Sequence, residues 1–299
     1  MNGVLVIDKP QGPTSHDVVV RVRRATGVRR IGHTGTLDPM ASGVLPLVLG
    51  RAARLAQFLG NVDKRYEALI KLGLETDTYD VTGRQTGDSR DPHINEPLTP
   101  AHIERVLQNF RGAYLQSPPP FSAKKIDGTR AYRLARRGVP VQLPASAVSV
   151  SRLELADFQG DRLTLRVTCS AGFYVRSLAH DIGAQLGTGA CLQSLRRLRS
   201  GDFGLEQALL LHVLERQPSV ASEYLVPMSG LLHNLPGIIL TSGGARRAAC
   251  GNLIGRADLA DPAGLLAPRV RLLDPDGQLI AIAELIGGAG LLHPGIVVV

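Results

Sequence analysis

Apolar residues along the chain switch between unbroken runs, strict alternation and a three-to-four spacing, and each pattern predicts a different element. Residues 4–7 (VLVI) form an apolar run that Pro10 and Gly12 stop, which predicts a short buried strand. Thr14 with Asp17 three residues on makes a capping-box-like start for the helix VVVRVRRATG, which ends on Gly27. The glycine-rich GHTGTLDPMASG reads as a loop, followed by the apolar VLPLVLG and a helical RAARLAQFLG. Alternation returns in KRYEALIKL, where Tyr66, Ala68 and Ile70 share one face of a strand that ends in a polar turn.

Thr99 opens the helix AHIERVLQNFRG, with Pro100 in the first turn, where its missing N–H costs nothing. AVSVSRLELADF and RLTLRVTCSAG alternate on either side of QGD at 159–161, the pattern of a hairpin. In FYVRSLAHDIGAQLG, Val175, Leu178, Ile182 and Leu186 fall on one side of a helix that Gly187 terminates. After EYLVPMSGLLHNLPG the texture becomes short apolar runs broken by Gly, Pro and Asp, with an Asp276-Gly277 turn, as in a small β-rich module. A chain of 299 residues is near the length at which single cores divide, so the expected organisation is a larger domain over 1–234 and a smaller one over 235–299. No internal repeat or low-complexity segment interrupts this reading.

Charge narrows the partners. Lys and Arg number 34 against 26 Asp and Glu, a net charge of +8 that favours a polyanion, nucleic acid first. The segment 117–144 concentrates that charge: prolines come first, then Lys124, Lys125, Arg130, Arg133, Arg136 and Arg137 interleaved with Tyr132. Such an insertion either packs a nucleic-acid backbone or forms a solvated helix face. Cys169, Cys191 and Cys250 show no C-x-x-C spacing, so they read as core thiols of a cytosolic protein and not as a zinc site or a disulfide framework. With no leader-like start and no run of about 18 apolar residues, a soluble cytoplasmic protein is expected.

Candidate chemistry centres on GHTGTLDPMASG. Glycines at 32, 35 and 43 permit positive φ and close backbone approach, so the loop can present His33 and Asp38 to something bulky. An Asp before Pro is also common in plain turns, where it caps its own backbone. A nucleotide loop is disfavoured because the lysine of G-x-x-x-x-G-K-[ST] is absent, and a metal site because His33 and Asp38 lack further ligands at suitable spacing. DTYD at 77–80 reads as turn caps, and no G-x-S-x-G elbow is present. What remains is a carboxylate acting as nucleophile or base without metal or cofactor, which is sound if a cation such as Arg stands beside it.

Five blocks in order, GHTGTLDPMASGVLPLVLGRAARL, KRYEALIKLGLETDTYDVTG, PPPFSAKKIDGTRAYRLARRG, CSAGFYVRSLAHDIGAQLGTGA and LRRLRSGDF, resemble the TruB family of tRNA pseudouridine synthases over residues 3 to about 230. The tail resembles, more loosely, the small PUA-like module of bacterial members. The resemblance implies an α+β fold: a mixed, mostly antiparallel central sheet flanked by helices, with a small C-terminal β-barrel-like PUA-type domain. It implies that the protein isomerises uridine 55 in the T-loop of tRNA to pseudouridine, with Asp38 attacking C1′ or assisting loss of the base through a glycal, or adding to C6.

Within that resemblance Tyr66 matches the tyrosine that stacks on the flipped base and is a candidate to move the C2′ proton, Arg176 the arginine that pairs with the aspartate, and Tyr174 a second pocket aromatic. Leu195 matches an apolar pocket wall, and His33 the histidine that enters the T-loop as the base leaves. The basic insertion corresponds to a thumb over the T-arm, with Lys124, Arg130 and Arg133 as its RNA contacts, although Phe121 stands where Tyr is frequent and Lys124 where an aliphatic is frequent. No cofactor, metal, membrane or obligate protein partner is expected, and the chain is expected to be a monomer. Two other readings use the same residues: a tRNA-folding RNA-binding factor, and a synthase acting on other stem-loops.

Overall fold

The apolar run at 4–7 is unbroken because both faces of its strand are covered. In Gly3–Lys9, Leu5 and Ile7 join a core shared with Val18, Val19 and Val22 of the helix Ser15–Thr26. Val4 and Val6 point the other way, into a second core with Leu279, Ile282 and Val298 from the C-terminal region. The neighbouring strand Ala41–Leu49 is divided in the same manner, Leu45, Leu47 and Leu49 on one side and Val44 and Val48 on the other. These positions come from a computed structural model that describes every residue except 88–97, 123, 127, 136, 142, 262–266 and 288–289.

The two strands belong to an eleven-stranded mixed sheet. Its order is Leu209–Leu210, Gly3–Lys9, Ala41–Leu49, Ala190–Ser200, Lys64–Leu72, Arg162–Cys169, Ser146–Gln159 and Gly112–Gln116, with three short strands attached to its side. Two of these pairings are parallel, Gly3–Lys9 with Leu209–Leu210 and Ala41–Leu49 with Ala190–Ser200, and the others along this order are antiparallel. The fold is therefore α+β with a mostly antiparallel sheet. Ala190–Ser200 is the strand that matters for the site: its register sets Arg197 beside Gly43 on one side and beside Tyr66 on the other.

Local signals match their elements. Thr14 and Asp17 form a reciprocal capping box, and Gly27 closes the helix at φ +70°. Thr99 caps Pro100–Gln108. The hairpin joins Gln159 to Arg162 across the turn at 160–161. Val175, Leu178 and Ile182 are buried along Val175–Gln185, which ends one residue before Leu186 at its C-cap. RAARLAQFLG is less regular than its pattern predicts, a 3₁₀ turn at Gly50–Leu55 running into the short α-helix Ala56–Gly60. Of the loop read at 32–43, residues 32–33 belong to the strand Ile31–His33 and residues 41–43 to Ala41–Leu49.

Four strands, Gly237–Ile239, Arg269–Leu273, Leu279–Ile286 and Leu291–Val297, form a separate sheet with the helix Ser242–Ala249 and a core of their own. Asp274 accepts the backbone N–H groups of Asp276 and Gln278, and Gly277 takes φ +77°, which makes the turn that sequence placed at 276–277. Arg54 donates to the Val297 carbonyl at 2.5 Å, and Arg269 lies over the Phe58 ring at 5.2 Å, so the helical stretch 50–60 also meets the C-terminal sheet. Cys169 and Cys191 are buried, but Cys250 is exposed, which corrects its reading as a core thiol. Its helix buries Gly244 and Ala248, and Cys250 follows as the C-cap on the outer side. No helix among the described residues is long and apolar enough to cross a membrane.

Candidate active site

A cavity of about 800 Å³ opens where the loop 34–40, the N-terminus of Val175–Gln185 and the basic insertion converge. Asp38, Tyr66, Arg176, His33, Tyr174, Leu195 and Arg130 all line it, although they come from five separate stretches of sequence.

The loop carrying Asp38 is fastened from below. Ser15, first residue of its helix, donates its hydroxyl to the Leu37 carbonyl and accepts the Leu37 N–H at 2.8 Å. Gly12 N–H donates to the Pro39 carbonyl at 2.8 Å. Two buried cations add the strongest tethers. Lys9 directs its ammonium at the carbonyls of Pro10, Pro39 and Ala41. Arg197 donates from Nε to Val44 at 2.6 Å and from Nη2 to Gly35 at 3.1 Å. Charge-assisted bonds to carbonyls are the means by which such cations tolerate burial.

Sequence reading missed both cations. Lys9 extends the Leu5 and Ile7 face by the period of two, and Arg197 stands two residues beyond Leu195, so alternation holds the signal for each.

Arg176 organises the carboxylates. Its Nε lies 2.9 Å from Asp38 Oδ2, with Nη2 3.5 Å from Oδ1. The other donors go to the carbonyls of Thr78 at 2.8 Å and Phe121 at 2.9 Å. Asp80 Oδ2 stands 3.8 Å from the same Nε. The expectation that DTYD is a set of turn caps holds for Asp80, which accepts from Thr82 N–H and both Thr78 and Thr82 hydroxyls, but it also faces Arg176. The two carboxylates differ in access: the Asp38 side chain is 37% exposed and that of Asp80 7%, so only Asp38 is offered to a ligand.

The walls are poorly hydrated. Burial pushes the Tyr66 phenol up, an effect the Arg197 guanidinium partly opposes. Burial, then Arg197 and His16, holds His33 below the usual imidazole range, and its Nδ1 is buried without a hydrogen-bond partner among the described residues. Burial likewise lowers Lys64, whose ammonium donates to the Gly60 and Val62 carbonyls at 2.6 Å. Tyr174 is raised, first by burial, and its backbone is clamped by buried Gln116, which accepts the Tyr174 N–H and donates to its carbonyl. Leu195 is 7% exposed and supplies the apolar side.

The insertion residues separate. Arg130 and Tyr132 line the cavity, and Arg130 and Arg133 are exposed. Lys124 does not line it; its ammonium binds the Ser146 hydroxyl and so fastens the insertion to the sheet. Arg136 lies outside the described residues. Among the described residues no group of three or more His, Cys, Asp or Glu is arranged to hold a metal ion.

The site can therefore present one fixed, accessible carboxylate beneath a half-open cavity with flat apolar walls and a cationic rim. Comparison with known proteins gives the family. The family model described as TruB family pseudouridylate synthase (N terminal domain) matches residues 23–175, and that of the tRNA pseudouridylate synthase B C-terminal domain matches 176–233. A tRNA pseudouridine synthase B from Solibacter usitatus is 43% identical, covering 99% of this chain and 100% of that protein. One from Thermobifida fusca is 42% identical, covering 95% and 94%. Among solved structures, an H/ACA ribonucleoprotein bound to a substrate RNA containing 2′-deoxyuridine superposes with TM-score 0.73 at 25% identity, over 99% of this chain and 85% of that one. A Cbf5–Nop10–Gar1 complex gives 0.71 at 29% identity, over 96% and 79%.

Proposed function

The chain belongs to the TruB family of pseudouridylate synthases, and from that premise we propose that it converts uridine 55 in the T-loop of tRNA to pseudouridine with Asp38 as the acting group. It is an enzyme of the isomerase type. The N1–C1′ bond breaks, C5 joins C1′, C5 loses a proton and N1 gains one, so nothing is oxidised or reduced. The observation that carries the reading is the accessible Asp38 carboxylate held at 2.9 Å by a buried guanidinium.

Asp38 acts at the sugar, on C1′ as nucleophile or on the C2′ proton as base, while Arg176 keeps the carboxylate pointed into the cavity. Tyr66, kept as the neutral phenol by burial, supplies a flat face beneath the base and a hydrogen-bond donor. Tyr174 and Leu195 close the remaining walls. Extruding a base costs a few kcal/mol. His33, held neutral and lacking a partner at Nδ1, offsets part of that cost by filling the space the base leaves. Arg130 and Arg133 supply backbone contacts from the insertion, and the module at 235–299 contacts tRNA further from the T-loop. The chain works as a monomer on tRNA, whereas the Cbf5–Nop10–Gar1 relative is a complex of several proteins.

The test is mass-sensitive mapping of pseudouridine in an unmodified tRNA transcript after incubation with the purified protein. Modification at the T-loop uridine is expected, and Asp38→Asn is expected to abolish it with tRNA affinity kept within severalfold. Tight binding without modification by the unsubstituted protein would favour a folding factor instead.

A further inference from the structure

The turn that holds Arg176 is itself held from its far side, by residues that take no part in the chemistry above. Residues 77–82 supply two of the partners of Arg176, the Thr78 carbonyl and the Asp80 carboxylate. Between them Tyr79 takes φ +63°, a left-handed conformation that a bulky side chain keeps only where its surroundings fix it.

What fixes it is visible. The Tyr79 ring stacks on His180 with centroids 4.0 Å apart and planes 4° from parallel. His180 follows Arg176 by four residues in Val175–Gln185, so one face of one helix presents both. The helix thus holds the turn at two points, with its guanidinium on Thr78 and Asp80 and its imidazole on Tyr79. Backbone pairing to Ala190–Ser200 ties the turn on its other edge, Leu192 N–H donating to the Tyr79 carbonyl and Val81 N–H to the Leu192 carbonyl, each at 3.0 Å. The His180 Nδ1 is buried with no hydrogen-bond partner among the described residues, so the stack is what orients that ring. Neither ring lines the cavity.

We infer that the Tyr79–His180 stack is a positioning device for the Asp38–Arg176 pair. It keeps the turn in the one backbone conformation that offers the Thr78 carbonyl and the Asp80 carboxylate to Arg176, and Arg176 in turn aims Asp38. Without the stack Tyr79 relaxes from φ +63°, both groups move, and the guanidinium keeps only Phe121 and Asp38 as partners. The inference rests on the reading of Asp38 as the catalytic carboxylate.

The experiment compares single-turnover pseudouridine formation on a tRNA transcript, tRNA dissociation constant and thermal midpoint for the unsubstituted protein and for His180→Ala, His180→Phe, Tyr79→Phe and Tyr79→Leu. Rates are taken well below every midpoint. His180→Ala is expected to slow the chemical step about tenfold or more while tRNA affinity changes less than about twofold. His180→Phe and Tyr79→Phe keep a stack and are expected to stay near the unsubstituted rate. Tyr79→Leu keeps bulk without a flat face and is expected to be as slow as His180→Ala, which preserves the test if the alanine variant does not fold.

A purely structural role would lower the midpoints and leave the rates alone. Unchanged rates in His180→Ala and Tyr79→Leu, or a His180→Phe rate as low as that of His180→Ala, overturn the inference. If the folded, tRNA-bound unsubstituted protein forms no pseudouridine, the functional reading fails and carries this inference with it, a result distinct from an active protein indifferent to His180.

Discussion

Gly43 and Arg197 meet backbone to backbone with no room for a side chain: a Cβ on Gly43 would lie 2.2 Å from the Arg197 carbonyl oxygen, and its φ is +101°. This close approach joins the two parallel strands where the loop carrying Asp38 ends. Gly43→Ala is therefore expected to cost on the order of 2–4 kcal/mol, from clash and strain together. Gly27, at φ +70° with nothing within 4 Å, is expected to cost only about 1 kcal/mol as Ala. Urea unfolding of the two variants measures the difference, and equal losses would contradict the packing argument.

Lys9 holds the carbonyls of Pro39 and Ala41 from a side chain with no solvent exposure. Lys9→Met keeps the volume and leaves those acceptors short of a donor, an expected loss of about 1–3 kcal/mol. Pseudouridine formation should slow with it, since the tether on the loop carrying Asp38 is gone. Chemical denaturation and a single-turnover assay on the same preparation check both effects.

The same lysine has a pH signature. Burial, against the attraction of Asp38, brings its pKa down to about 8 from 10.5, so between those values the unfolded chain binds the extra proton and stability rises with pH. Buried Cys191 and Cys169 act in the opposite sense, pushed up to about 11 and about 12 from 9.0. Their contribution is complete below pH 9 and is lost as pH rises toward those folded values. Thermal midpoints from pH 8 to 10.5 are expected to fall more steeply in Lys9→Met than in the unsubstituted protein, and less steeply in Cys191→Ala.

Arg176 spreads its donors over Asp38, Thr78 and Phe121 with a planar fork. A lysine ammonium cannot reproduce that geometry. Arg176→Lys is expected to lower kcat on the order of 10²-fold with little change in tRNA affinity. Steady-state kinetics with a parallel binding assay would show this, and a loss confined to KM would mean that Arg176 binds substrate and does not aim Asp38.

The C-terminal sheet covers Val4, Val6, Val44 and Val48 through Leu279, Ile282 and Val298. Ending the chain at Leu235 would leave that face of the larger sheet in water, and the expected outcome is aggregation or a much lower thermal midpoint. A soluble fragment with full activity would show that the smaller module is dispensable to the fold.

Patterning within a few residues determined most elements of this protein. The capping box at Thr14 and Asp17, the αL cap at Gly27, the turn at 159–161 and the apolar stripe of Val175–Gln185 depend on near neighbours, and period and turn chemistry are sufficient for them. The ordered blocks around Asp38, Tyr66 and Arg176 likewise identified the family. Tertiary structure alone decided which polar groups stay near water. Alternation put Lys9 and Arg197 on inward faces, but their burial follows from strand pairings that sequence alone does not specify, Gly3–Lys9 with Ala41–Leu49 and Ala190–Ser200 between two strands far away in sequence. Asp80 is the turn cap its local sequence predicts, and only the helix Val175–Gln185 adds Arg176 against it, just as only the sheet supplies Ser146 beside Lys124. Each of these outcomes depends on a long-range pairing, and a residue's local pattern carries no information about which distant strand or helix will meet it.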